Sequence, residues 1–176
     1  MKNKSDNFIK ILSEIISYFA IGSLLFLAIG QKDIDNYFDW LTFSAALIVT
    51  GILFGMTLYF AISYFIPNIK TYKNSKGVGI LFPLIFAFAL VSFGLGSIVN
   101  ETSNQKTECK EYVIQDMGES GSRQRAYYIF INNGEKIERL SFGKAFSKMH
   151  KIGDNISLCI ITGRLGFKYY KIKSKK

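Results

Sequence analysis

Residues 41–66 read LTFSAALIVTGILFGMTLYFAISYFI, a run without one charged side chain that is closed by Pro67. As a helix rising 1.5 Å per residue it is about 39 Å long, more than the roughly 30 Å of a bilayer's hydrocarbon core. Helices inside soluble proteins seldom run so far without a charge, so the stretch is read as a transmembrane span. Two neighbours read the same way. Phe8 to Gly30 is uncharged from Ile15 to Ile29, and Val78 to Val99 carries no charge at all. The first of these begins with Lys2, Lys4 and Lys10 and ends in Ala28-Ile29-Gly30, as a cleaved signal peptide can. Its apolar length exceeds that of a signal core, however, and Glu14 interrupts the approach. Three spans are therefore expected in residues 1–99.

Outward from the spans, lysine sets the orientation. The N-terminal tail carries three lysines, and the loop 68–77 carries Lys70, Lys73 and Lys76 with no acid. The loop 31–39 has only Lys32 against Asp33, Asp35 and Asp39. Short loops rich in lysine stay cytoplasmic. The expected placement is a bacterial inner (cytoplasmic) membrane, multi-pass, with the N-terminus cytoplasmic and everything after the third span periplasmic. Tyr37, Trp40, Tyr64 and Tyr72 stand where interfacial anchors belong. Gly51 and Gly55 form a GxxxG pair, and Ser92 with Gly96 a second small pair. Either helix packing within the chain or a homodimer through Gly51 and Gly55 would use them. No ionisable group lies inside a span and no internal repeat is visible, which argues against a carrier or pump.

The remainder is different in kind. Residues 1–99 hold seven Lys/Arg against five Asp/Glu, net +2, while 100–176 hold fifteen against eight, net +7. A basic domain suits a polyanionic or acidic partner, although a bias toward Lys, Asn and Ile also fits an AT-rich genome. No aromatic RNA-binding signature is present, so nucleic acid is not expected. A polar stretch, 100–107, is read as a linker, and 108–176 as a small all-β domain. Apolar alternation gives five strands: Cys109–Gln115, Arg125–Ile131, Lys136–Phe142, Asn155–Thr162 and Phe167–Ile172. Asn133-Gly134 marks a hairpin, Gly143 to His150 one short helix, and the Gly/Ser-rich Asp116 to Gln124 a mobile loop. With both its faces apolar, the Tyr128–Ile131 strand should be central. The element order fits an OB-like or SH3-like barrel.

The run Tyr128-Ile129-Phe130-Ile131, then Asn133-Gly134-Glu135-Lys136, then Lys151-Ile152-Gly153-Asp154 before a strand, resembles bacterial inner-membrane proteins of uncharacterised role. Those have a few transmembrane helices and a small C-terminal β-barrel with a recurring YxxxY…G…xxGDxV rhythm. The resemblance covers about sixty residues and departs at Gly163-Arg164-Leu165-Gly166, where that pattern has a proline-bearing turn. It implies an accessory membrane protein and names no active site.

Catalysis requires a nucleophile, base or metal in mutual reach, and no motif supplies them. His150 is the single histidine, flanked by Lys148 and Lys151. Ser141, Ser147 and Ser157 lack a nucleophile elbow. Glu108, Glu111, Asp116 and Glu119 read as a solvated face, and Gly118 to Ser122 does not open onto a helix as a phosphate loop would. No enzyme activity, cofactor or metal is expected. Cys109 and Cys159 lie on separate strands without a CxxC pair, and an oxidising compartment would join them as a disulfide. The expected function is a non-enzymatic membrane protein whose outward β domain binds a protein partner. An immunity protein against a membrane-acting toxin is the leading version; an envelope sensor or small self-assembled membrane unit is the alternative. Arg123, Arg125, Tyr127, Arg164, Tyr169 and Lys171 are the candidate recognition face.

Overall fold

The computed structural model describes residues 2–32, 34–73, 77–102, 106–121, 126–134 and 136–172. They fall into two compact units. One comprises residues 1–32 and 44–98, the other 33–43 and 99–176.

The helical unit holds α1 (Lys2–Gly22), α2 (Leu24–Lys32), most of α3 (Trp40–Phe65) and most of α4 (Leu81–Thr102). Three stretches are long and apolar enough to cross a membrane: Asn7–Asn36, Trp40–Phe65 and Leu81–Thr102. The first is broken between α1 and α2 at Ser23, whose hydroxyl bonds back to the Ala20 carbonyl at 2.7 Å. Several other hydroxyls are satisfied in the same way, while the buried Ser63 Oγ of α3 has no hydrogen-bond partner among the described residues. Thr50, Thr57 and Ser97 each donate to a carbonyl one turn earlier, as an apolar solvent demands. Large side chains such as Leu25, Phe60, Phe65 and Phe82 point outward, which suits lipid and not water.

Glycines bring the helices together. A Cβ on Gly51 would lie 2.4 Å from the Phe88 carbonyl oxygen and 2.7 Å from the Ala89 Cα, and one on Gly55 would lie 3.0 Å from the Ile85 Cα. The GxxxG pair is thus consumed by α4 of the same chain. Of the two uses expected for the pair, this is packing within the chain. Gly96 of the second small pair likewise faces Leu47 of α3.

The β unit is a curled, half-barrel antiparallel sheet in the order β3-β2-β1-β4-β5. The strands are β1 (Lys106–Ser120), β2 (Ala126–Asn132), β3 (Ile137–Phe142), β4 (Asn155–Thr162) and β5 (Lys168–Ile172), with α5 (Lys144–Met149) between β3 and β4. β2 is interior to the sheet, as its two apolar faces suggest. The core gathers Ile114, Ile129, Ile131, Leu140, Leu158 and Tyr170. Asn133-Gly134 turns the β2–β3 hairpin, with φ +96° at Gly134 and the Asn133 side chain accepting the Lys136 N–H at 2.9 Å.

Two expectations need correction. Residues 116–120 are not a mobile loop: they continue β1 beyond a register shift after Ile114 and pair with Phe130 down to Ala126. Their Gly and Ser content hid a strand that cross-strand pairing stabilises regardless of propensity. The linker is also shorter than 100–107, since α4 runs to Thr102 and β1 starts at Lys106.

The helix packing is testable. Gly51→Leu should lower stability by about 1–3 kcal/mol through overpacking, read as the unfolding midpoint in detergent micelles. Gly22→Ala, where an added Cβ meets nothing within 4 Å, should leave that midpoint nearly unchanged.

Candidate functional site

The β unit is completed by a segment that arrives from the far end of the sequence. Residues 34–43, which run from the end of the first apolar stretch into the start of the second, lie along the edge of β5 and reach β3. Tyr37 forms a β-bridge with Tyr169, and the Phe38 N–H donates to the Lys168 carbonyl at 3.1 Å. In an extended chain, consecutive side chains point to opposite faces. Accordingly Phe38 stacks on Tyr170 at 4.4 Å inside the core, while Tyr37 packs on Tyr169 at 5.5 Å and stacks on Phe43 at 4.2 Å on the other face. Toward β3, the Asn36 side-chain oxygen accepts the Ser141 N–H at 2.9 Å. Asp35 pairs with Arg139 at 2.8 Å, and Lys136 donates to the Phe38 carbonyl at 3.4 Å. Among the described residues β3 and β5 do not pair with each other; this strap occupies their seam. It ends at Asp39, whose side chain accepts the Thr42 N–H at the start of α3. Hydrogen bonds from the Thr42 side chain and main chain hold the Asp39 carboxyl below the usual carboxylate range.

A second tie comes from the end of α4. Asn100 is fully buried (0% exposed) inside the β4–β5 turn. Its amide donates to the Phe167 carbonyl at 3.1 Å, its side-chain oxygen accepts the Leu165 N–H at 3.0 Å, and its carbonyl accepts the Arg164 N–H at 3.1 Å. A Cβ on Gly163 would stand 2.3 Å from that carbonyl oxygen, so only glycine admits the contact. Nearby, the Tyr37 hydroxyl donates to Glu101 at 3.2 Å. Burial raises its pKa well above the ordinary phenol value. The polar run at 100–107 gave no sign of this role; a lone Asn opposite a Gly-rich turn was the available signal.

Of the sequence-derived recognition residues, the four that are described are spread over β2, the β4–β5 turn and β5. Arg123 and Arg125 lie outside the described residues. Tyr127 is half-buried on β2, three strands from β5 along the sheet. Arg164 and Lys171 are exposed on the β4–β5 turn and β5. Tyr169 is interior (6% exposed), taken up by Tyr37, and is corrected from surface to packing residue. Cys109 and Cys159 are opposite one another across β1 and β4 and joined by a disulfide. His150 stacks on Phe146 at 4.0 Å, with Nδ1 3.1 Å from its carbonyl, and closes α5. No group of three or more potential metal ligands occurs among the described residues.

The opposite end of β4 carries a different surface. From Asn100's turn to the start of β4 is about 23 Å of strand. There α5 and the following turn, 143–153, hold Lys144, Lys148 and Lys151 and no acid. Among them Met149 is 72% exposed and Ile152 60%. Comparison of the chain with protein-family models, curated proteins and solved structures finds no match.

Two predictions follow from the ties. Phe38→Ala should cost about 3 kcal/mol, as deletion of a packed ring does, whereas Asp35→Ala, which breaks a part-exposed ion pair, should cost about 1 kcal/mol or less. Proteolysis of the full-length protein in micelles orders the two, and equal sensitivity would remove stacking as the dominant contact. Replacing both cysteines by serine should cost roughly 2–4 kcal/mol. A thiol-reactive mass tag should label the native protein only after reduction; labelling without reductant argues against the bond.

Proposed function

We propose that this is a membrane-anchored binding module in which a β unit of OB-like character presents a protein-recognition surface. The observation that carries the reading is the α5 end: two exposed apolar side chains, Met149 and Ile152, on a segment that also carries Lys144, Lys148 and Lys151, at the opposite end of β4 from the Asn100 tie. Apolar anchors supply binding energy on burial, and the surrounding charge steers an acidic partner toward them. The OB-like assignment rests on the strand order, on a helix between β3 and β4, and on one long strand shared by the two halves of the sheet.

Lysine placement in the short loops supports an N-terminus in the cytoplasm of a bacterial cell and a β unit in the periplasm. The Cys109–Cys159 disulfide suits that oxidising side. An immunity protein that blocks a membrane-acting toxin is the specific version we favour. One observation favours an envelope sensor as a second reading. The strap is continuous with the first two spans, so a partner that loosens the β3–β5 seam also acts on the loop joining them.

A photo-crosslinking side chain at Ile152 in the full-length protein tests the proposal in cells. Capture of a defined envelope or toxin protein is expected, reduced about ten-fold or more, some 1.4 kcal/mol, by Lys144→Glu with Lys148→Glu and Lys151→Glu. Equal capture by the reversed variant would remove this surface from the reading.

A further inference from the structure

β1 has two edges, and along its first half only one of them is filled among the described residues. Lys106 to Val113 pair with β4, whereas β2 joins β1 only from Ile114 onward. The direction of the main chain there can be read from Ile114. Its N–H donates to the Asp154 carbonyl at 3.0 Å and its carbonyl accepts the Gly153 N–H at 2.8 Å, both on the β4 side. Antiparallel strands alternate in this respect. Tyr112 and Lys110 therefore also turn their main-chain groups to β4, and Val113, Glu111 and Cys109 turn theirs away from it.

Of these, Glu111 and Val113 line a groove of about 460 Å³ between β1 and the tip of the β2–β3 hairpin. Lys110, Glu111, Tyr112 and Val113 form one wall and Asn132 to Gly134 the other. Behind the wall, Tyr170 packs edge-on against Tyr112 at 6.1 Å. An N–H and C=O pair repeating every second residue, about 6.8 Å apart, is what an extended polypeptide satisfies and what a compact small molecule does not. The segment 107–113 contains no proline to block such pairing. Lys110 and Glu111 offer one charge of each sign beside it.

We propose that the groove takes an extended peptide segment of the protein partner, added as a strand beside Cys109–Val113. The inference rests on the protein-binding reading above and names the form in which the partner is recognised. It also makes Glu111 special: its N–H serves the open edge and not the β4 ladder, so proline there removes a docking donor while leaving the sheet paired.

The test uses the full-length protein in detergent micelles and a phage-displayed library of random twelve-residue peptides. Peptides selected on the wild type are expected to slow amide exchange in 109–113. They should bind Glu111→Pro about ten-fold more weakly, as loss of one docking hydrogen bond implies. Gln115→Trp, which crowds the groove from an exposed position, should weaken them as well and stands in if the proline variant does not fold. Failure to enrich any peptide, protection elsewhere in the chain, or undiminished binding to both variants overturns the inference. If Ile152 crosslinking still captures a charge-dependent partner in that event, the binding-module reading survives without the groove; if both fail, the reading itself falls.

Discussion

Two aromatic rings on consecutive residues, Tyr37 and Phe38, straddle β5 and decide whether the β unit has a closed side. A five-stranded sheet of this order presents β3 and β5 as raw edges, with main-chain groups and core side chains open to water. The strap covers both. Phe38 completes the core against Tyr170, and Tyr37 builds a second apolar layer with Tyr169, Phe43 and Phe167. The hydrogen bonds from Asn36 and Phe38 set the register in which those rings land. The ion pair of Asp35 with Arg139 is part-exposed and adds little by comparison.

This arrangement ties the topology together. A loop between the first and second spans can share a unit with the segment after the third span only if two crossings separate them. Three spans are what the apolar runs supply. The strap enters from α2 and leaves into α3, and Asn100 continues from α4, so all three apolar stretches run directly into the β unit. Its surface chemistry divides in the same way: ties at the Asn100 end, and lysines with Met149 and Ile152 at the α5 end.

Much of the fold was legible in the sequence because its signals are local. Uncharged length identifies the spans, alternation places β4 at Asn155–Thr162 as expected, and Asn133-Gly134 marks the hairpin. The cysteine pairing follows from two strands that prove to be neighbours. What escaped depends on partners far along the chain. Residues 34–38 look like an ordinary acidic loop, since nothing in Asn36-Tyr37-Phe38 announces β5 more than a hundred positions later. Tyr169 reads as an exposed aromatic for the same reason. The end of β1 hid behind Gly118 and Ser120, which are poor strand formers held in place by β2. The proposed recognition surface was the least legible part, because the exposure of Met149 and Ile152 is a property of the folded unit and not of their residue types.

The strap also imposes an order on biogenesis. Tyr37 leaves the ribosome 132 residues before Tyr169, its partner across the seam. At about 5–20 residues per second that is a wait of roughly 7–26 s, during which two further spans must insert. The earliest-made piece of the β unit thus waits longest for its partner to be made. Throughout that interval Tyr37 and Phe38 lack the rings of Tyr169 and Tyr170 that they pack on, and it is translation speed that sets how long a nascent chain remains sticky.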